Sequence, residues 1–393
     1  GGAKVLLVER INALGGAPCT MAVNPFMRNA TTIPDTNERK QLSQGIFAEI
    51  YDALKAEGAT RDNIFNPEYL KIILNRKMKE AGVDLLFNSL FVSAKREGNR
   101  VVSVTVANKS GLTELEADFF VDATGDADVA YSAGFPTRLG RPEDNLCQPM
   151  TLCFSIGGVD PAKFDENQGR IVPLWQEEKK KGTIRNPMDG IMVFHSTFPG
   201  IVNLNATRIV KRNPVDAYDV TAADMEAREQ MLEMFEMLKN NIPGFENADI
   251  TMSGPQIGVR ESRMIDGEHL LTAEELVACT VFEDAIACGN YDIDIHNPEG
   301  SGTSHYFFPA GQYYTIPYRS LIPKNAENLL VAGRCISATH EAQASIRIMC
   351  IVCTLGEAAG TAVSVAVKDG TTTRNVDVGK LRRTLEQNGA VIS

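Results

Sequence analysis

Three times along the chain a short run of apolar residues stops on an acid or a glycine. Val5-Leu6-Leu7-Val8 ends on Glu9, Phe119-Phe120-Val121-Asp122 leads into Ala123-Thr124-Gly125-Asp126, and Leu329-Leu330-Val331-Ala332 leads into Gly333-Arg334. Apolar runs without alternation are how strands buried on both faces read, and such strands belong to parallel sheets covered by helices. The runs near 5–8, 118–122 and 328–332 are therefore expected in one sheet, the first of them internal or nearly so. Helices are predicted over 36–59 and 66–81, the second with Asn66 as cap, Pro67 at its first position and Leu70, Ile73, Leu74 and Met78 on one side. Strands are predicted at 83–87, 101–106 and 112–121, the middle pair forming a hairpin arm.

From about residue 150 to 316 the texture changes to mixed strands and helices with more aromatic residues and more Pro and Gly turns, which reads as an inserted second domain. Its helix over 222–240 carries Met231, Met234, Phe235 and Leu238 at helical spacing, with Glu226, Glu229, Glu233 and Glu236 opposite. The apolar stripe reads as core and the acids as a solvated face. The first pattern resumes at Asn328, continues through a small-residue helix at 356–360, and ends in a helix capped by Asp377 that carries Leu381 and Leu385. The expected divisions are 1–149, 150–318 and 319–393, in keeping with 393 residues at roughly 150 per domain.

Charge changes the picture by exclusion. With Lys plus Arg at 39 against Asp plus Glu at 50, the net charge of −11 argues against a nucleic-acid footprint. No uninterrupted apolar stretch is long enough to suggest a membrane span. Eight cysteines scattered over a long chain without an N-terminal signal segment read as reduced thiols and a cytoplasmic location.

The acid at the end of the first run carries chemistry. In a dinucleotide-binding βαβ unit the second strand ends in Asp or Glu, which accepts hydrogen bonds from the ribose hydroxyls of an adenosine. Glu9 has that position, yet the glycine fingerprint belongs about 20 residues before such an acid, and only eight residues precede Glu9. The reading expects the first strand and its phosphate loop to be missing by truncation of the sequence. Gly15 and Gly16 follow the acid and cannot replace that loop. Three strand ends set against glycine suit a long extended cofactor lying across the carboxyl ends of one sheet.

These residues resemble a known family. Val5-Leu-Leu-Val-Glu-Arg10 with Leu14-Gly-Gly16, Asp122-Ala-Thr-Gly-Asp-Ala-Asp128 and Asn328-Leu-Leu-Val-Ala-Gly-Arg334 look like FAD-dependent oxidoreductases with a glutathione-reductase-type FAD domain. Gly258-Val-Arg-Glu-Ser-Arg263 and Gly333-Arg-Cys-Ile-Ser-Ala-Thr-His340 resemble a mostly uncharacterised bacterial subfamily. The resemblance implies an α/β fold, a discontinuous Rossmann-like FAD-binding domain with an inserted mixed α+β substrate domain. It implies that Glu9 binds the adenosine ribose, that Arg10 and Gly16 lie near the adenine or pyrophosphate, and that Thr124, Gly125 and Asp126 pass close to the dinucleotide. Gly333 and Arg334 would approach the pyrophosphate and ribityl chain. A helix beginning within 345–356 would turn its N-terminus to the flavin.

With FAD performing the redox step, the protein has to orient a substrate, neutralise charge and move a proton. The richest polar stretch is His296 to Tyr306, followed by Tyr313, Tyr314 and Tyr318. His305, His340 and Arg347 are the expected catalytic residues, gathered on one wall between the insertion and the helix near Ser345. His296, Tyr306 and Tyr314 are expected to bind substrate, and Arg260 and Arg263 either clamp a carboxylate or pair structurally with neighbours such as Glu261. Cys350-Ile-Val-Cys353 has the spacing of a redox pair without its usual context, and reads as buried small residues. No metal site, Walker loop or nucleophile elbow is present. The favoured reading is hydride exchange between flavin N5 and a small polar molecule, with an unknown electron acceptor. The alternatives are a catalytically silent binding or assembly subunit with the same fold, and an NAD-dependent dehydrogenase.

Overall fold

The computed structural model describes residues 2–393. Its fold is α/β, and two short parallel sheets organise the functional end. Leu6–Val8 pairs in parallel with Asp84–Leu86, and Phe120–Asp122 pairs in parallel with Leu329–Val331. The single sheet expected for the three runs is not formed: they fall in two separate two-stranded sheets. Leu329–Val331 is fully buried, whereas Val5, Leu6 and Val121 remain 44%, 46% and 42% exposed. An apolar run states that a strand wants cover, but its partner is chosen by distant residues. Asn328 makes one such choice, its amide accepting from Val101 N and donating to the carbonyls of Val101 and Asp118 at 2.8–2.9 Å.

Local signals fared better. The helix Pro67–Glu80 starts where Asn66 accepts from Glu68 N at 3.0 Å, and buries Leu70 and Ile73. The predicted helix over 36–59 is shorter, Ile46–Ala56, because Arg39–Gln41 pairs as a strand with Ala30–Thr32 and Gly45 turns the chain at φ +62°. Glu357 lies against Gly45, where a Cβ would clash, and accepts from Ile46 N at 3.0 Å. The predicted strand over 112–121 divides into Gly111–Glu116, which joins a meander with Leu90–Glu97 and Arg100–Asn108, and Phe120–Asp122.

Residues 154–250 have a core of their own. An antiparallel sheet in the order Val193–His195, Ile201–Leu204, Phe154–Gly157, Asp249–Ser253 packs Phe154, Phe164, Trp175, Met234 and Leu238 together. Trp175 is fully buried and donates to Met188 O at 3.1 Å. The long helix Ala217–Asn241 is capped by Asp216 and turns Met234, Phe235 and Leu238 inward as its periodicity predicts. Residues from Met264 to Ile316, by contrast, contribute to the larger core alongside Phe65, Leu330, Leu355 and Leu385. Of the span 150–318, then, only its first two thirds packs separately.

The chain ends in helices His340–Ile346, Met349–Asp369 and Val378–Gln387, the last capped by Asp377 with Leu381 and Leu385 buried. Among the described residues, Met349–Asp369 alone is long and apolar enough to cross a membrane, although uninterrupted runs predicted no such element, and 61% of its apolar window is buried inside the protein.

Candidate active site

The loop after Phe120–Asp122 is built around a buried carboxylate. Asp122 accepts from Thr124 N and Oγ1 and from Val129 and Ala130 N, at 2.7–3.1 Å, so one side chain fixes both the turn and the first turn of the next helix. Burial pushes the Asp122 carboxyl up, against the pull of those bonds. Thr124 also accepts from Asp128 N at 3.0 Å, so its hydroxyl is employed within the loop. Gly125 sits at φ +82°, and a Cβ there would overlap the guanidinium of Arg334.

Arg334 donates to Asp126 at 2.5 Å, and Ser262 donates to the same carboxylate oxygen at 2.6 Å. Arg263 donates to Asp126 O at 3.0 Å, pairs with Asp128 and lies over the Tyr131 ring at 4.4 Å from its centroid. Glu9 closes the first strand and accepts from Ile11 N at 3.1 Å, and Arg10 reaches Gln256 at 3.1 Å. Segments 9–10, 124–128, 262–263 and 333–334 thus converge, with the Arg10 charge felt at Asp128.

Two features of these residues suit an extended dinucleotide. Gly333 is at φ +125° with no atom nearer than Cys335 Sγ at 4.0 Å from a Cβ position, and Gly16 is at φ +58° with nothing within 4 Å, so backbone can be approached closely at both. Arg334 Nε is buried without a hydrogen-bond partner among the described residues, a donor free for a phosphate oxygen.

A second cluster lies on the hairpin Ile293–His296/Thr303–Tyr306. Asp294 faces His305 and His296 faces Thr303 across the ribbon, so these four share one face, while Ile295 and Ser304 share the other. His296 Nε2 is 3.3 Å from Asp294 Oδ2, Tyr291 donates to that oxygen at 3.1 Å, and Arg347 Nη2 approaches it to 3.7 Å. Arg208 donates to His296 Nδ1 at 2.6 Å, to Thr303 at 3.1 Å and to the carbonyls of Gly300 and Gly302 at 3.2 and 2.9 Å. Arg260 binds Pro149 O at 2.8 Å and Thr151 Oγ1. Burial and then the Arg260 charge hold the His296 pKa down to about 3, so the ring is neutral, its Nδ1 accepting from Arg208. Asp294 stays ionised: burial opposes its charge, but His296, Arg347 and His305 outweigh it and lower its pKa. His305 is held at Nδ1 by Asp292 at 2.7 Å, with Nε2 3.7 Å from Asp294, and its ring stacks on Phe307.

His340 lies elsewhere. It is buried, its Nδ1 2.8 Å from Glu261 Oε1, and Glu261 Oε2 accepts from Gln148 N at 2.8 Å. It lines a cavity of about 540 Å³ with Arg141, Glu143, Ile295, Ser304 and Glu341, on the Ile295 side of the hairpin. The expectation of His305, His340 and Arg347 on one wall is therefore corrected: the ribbon separates His340 from the other two, because alternate residues of a strand face opposite ways. Gln148 and Gln343 bridge the regions, bonded to each other at 3.1 Å, with Gln343 also reaching Arg260 O at 2.8 Å.

Three further expectations change. Arg260 and Arg263 form no clamp, since they diverge to the two clusters. Tyr314 is fully buried with its hydroxyl 2.6 Å from Ser345 Oγ, a packing role in place of a substrate contact. Tyr306 shares the Ile293 face and packs edge-on against Phe308, away from His296 and His305. The helix expected to begin within 345–356 does so at Met349, after a break at Arg347 and Ile348, where extended Ile348 interrupts the preceding helix. Cys350 and Cys353 are each pushed up to about 12 by burial, so they are thiols with no redox activation. Arg208, Asp294, Gln148 and Gln343 were not singled out from sequence.

Strand ends, glycines and an arginine with a free donor are gathered here, an arrangement suited to a dinucleotide. The chain belongs to the FAD dependent oxidoreductase family, whose model matches residues 1–385, and FAD is its cofactor. No curated protein sequence matches it significantly. Similar solved structures include p-nitrophenol 4-monooxygenase PnpA from Pseudomonas putida, at 10% identity over 99% of this chain and 81% of that one, TM-score 0.45. A geranylgeranyl bacteriochlorophyll reductase-like protein from Thermoplasma acidophilum matches at 11% identity over 98% and 77%, TM-score 0.43. The myxobacterial chondrochloren halogenase CndH matches at 12% identity over 100% and 78%, TM-score 0.41.

Proposed function

We propose that this chain exchanges hydride between FAD and a small polar substrate bound on the Asp294 face of the 293–306 hairpin. The observation that carries the reading is the segment Gly258–Arg263. Within four residues it brings Arg260, anchored on Pro149, close enough for its charge to act on His296, and sets Ser262 and Arg263 onto Asp126, the partner of Arg334. A substrate at the hairpin cluster thereby sits next to the residues assigned to the cofactor. FAD, when bound, supplies the two-electron redox centre.

Glu9 holds the adenosine ribose, and Gly16, Gly125, Gly333 and Arg334 take the pyrophosphate and ribityl portions. Residues 1–149 and 319–393 form the FAD-binding part and the insertion covers the substrate. Arg347 and Arg260 neutralise substrate charge. His305, exposed at its ring edge and oriented by Asp292, takes or gives the substrate proton at Nε2. His296 is neutral and hydrogen-bonded at both nitrogens, so it positions Arg208 and Asp294.

The test is absorbance of the reconstituted protein in the flavin bands, followed by anaerobic reduction with polar substrates. Flavin that is retained, and reduced more slowly in His305→Ala, supports the reading. Protein that takes up no flavin returns the chain to a silent binding subunit, and parental reduction by His305→Ala removes the proton role.

A further inference from the structure

We infer that the Asp294 face of the hairpin is a receptor for a carboxylate whose neighbouring carbon bears a hydroxyl or an amine, with Arg347 and Asp294 as its two halves. That this ligand is the substrate rests on the proposed hydride exchange; the binding site stands on its own geometry.

The first ground is charge. Three guanidinium groups, of Arg208, Arg260 and Arg347, gather at one end of the hairpin, close enough for Arg347 and Arg208 to disfavour the charge of Arg260, which burial already pushes down to about 10. The groups acting on them are Asp294, with His305 Nε2 at 3.7 Å, the neutral His296, and Asp189, which accepts from Gly302 N at 2.9 Å and acts on Arg208 from the edge. Asp292 is committed to His305. Cation exceeds anion where water is largely excluded, and an interior of that kind favours an anionic ligand.

The second ground is which atoms are left over. Arg208 uses both terminal nitrogens, and Arg260 is anchored on Pro149 and Thr151. Arg347 has only the 3.7 Å approach of Nη2 to Asp294, and its Nε is buried without a partner among the described residues. Asp294 Oδ1 is likewise buried without a hydrogen bond, its nearest charged neighbour being His305 Nε2 at 3.7 Å. A buried polar atom left unpaired is costly, and here a donor and an acceptor are left beside each other on one ion pair. The Nε–H and Nη–H edge of a guanidinium matches two carboxylate oxygens. The free Asp294 oxygen then faces a donor one carbon away. Position adds to this: Arg347 stands in the break two residues before the helix Met349–Asp369, whose N-terminal end contributes positive potential.

The experiment is calorimetric titration of the FAD-loaded protein with 2-hydroxy acids and 2-amino acids of increasing length, against their deoxy acids and amides. A hydroxy or amino acid should bind at least tenfold tighter than its deoxy counterpart, with the amide undetected; the tighter arm identifies the donor. Arg347→Gln should abolish the preference, and Arg347→Lys, which keeps charge without the fork, should lose about tenfold. Asp294→Asn should reduce the preference over deoxy acids while the preference over amides persists. Thermal unfolding and FAD content identify any variant that fails to fold. Equal binding of acid and amide, no binding by any member, or unchanged binding by Arg347→Gln overturns the inference. Tight binding without flavin reduction instead overturns hydride exchange and leaves the receptor standing.

Discussion

The two arginine clusters reached by Gly258–Arg263 differ in how completely they are satisfied. Around Asp126 the cations meet carboxylates, Arg334 on Asp126 at 2.5 Å and Arg263 on Asp128 with Ser262 completing the shell, and Arg334 Nε alone is left over for the cofactor. Around Asp294 only Arg347 approaches the carboxylate, while Arg208 and Arg260 nearby are held by uncharged groups, and both halves of the Arg347 pair keep an unpaired atom. The first arrangement is what a folded loop needs in order to hold its shape. The second is strained by its own charge and is completed from outside, which is why we assign structure and cofactor to one and ligand recognition to the other.

The sharpest way to break this comparison is Asp126→Ala, which leaves Arg334 without its carboxylate and Ser262 with only the Gly125 carbonyl at 3.3 Å. It should cost roughly 2–3 kcal/mol, the scale of a charge-assisted bond lost from a part-buried site, read by denaturant unfolding, and should release FAD on dialysis. Next is Glu9→Gln, expected to weaken FAD by roughly 1–3 kcal/mol in equilibrium binding with little change in unfolding; unchanged retention would remove Glu9 from the ribose.

His340 gives a pH-dependent contrast. Burial disfavours its charge, but the Glu261 bond and the Glu261 and Glu341 charges prevail and raise its pKa above 6.5. The stabilisation from protonated His340 is therefore full below 6.5 and fades as pH rises through the raised value. His340→Gln should cost more near pH 5 than near pH 9 in paired unfolding curves. A constant difference would mean that the ring stays neutral. The smallest effect is expected of Arg347→Gln without ligand. Its pair with Asp294 is made only at 3.7 Å and its removal relieves Arg260 of a like charge, so stability should change by less than about 1 kcal/mol, in contrast to Asp126→Ala, and a large loss would mean Arg347 is structural.

What could be read from the sequence was whatever is decided within a few residues. Asn66 and Asp377 were found as caps because a cap bonds two or three residues onward. The three strand-ending runs are legible as strands because consecutive apolar residues mark them, although full burial holds only for Leu329–Val331. Their sheet was misjudged because pairing is settled by contacts such as Asn328 with Val101, 227 residues apart. The candidate site divides in the same way. His296, His305 and Arg347 were picked as polar residues in the right stretch, but Arg208, 88 residues before His296, carries no local signal. His340 was joined to His305 because linear order does not show which face of a hairpin a neighbour occupies, and period-two alternation becomes usable only once the 293–306 register is known.

The position of Trp175 gives the protein two optical reporters. The sequence has one tryptophan, and it is fully buried in the core of residues 154–250, while the assigned FAD contacts border the larger core. Indole emission therefore follows the melting of the insertion, and flavin release follows the opening of the body that holds the dinucleotide. If the two signals change at different temperatures, the protein loosens in two steps, and the order of the steps shows which core supports the other.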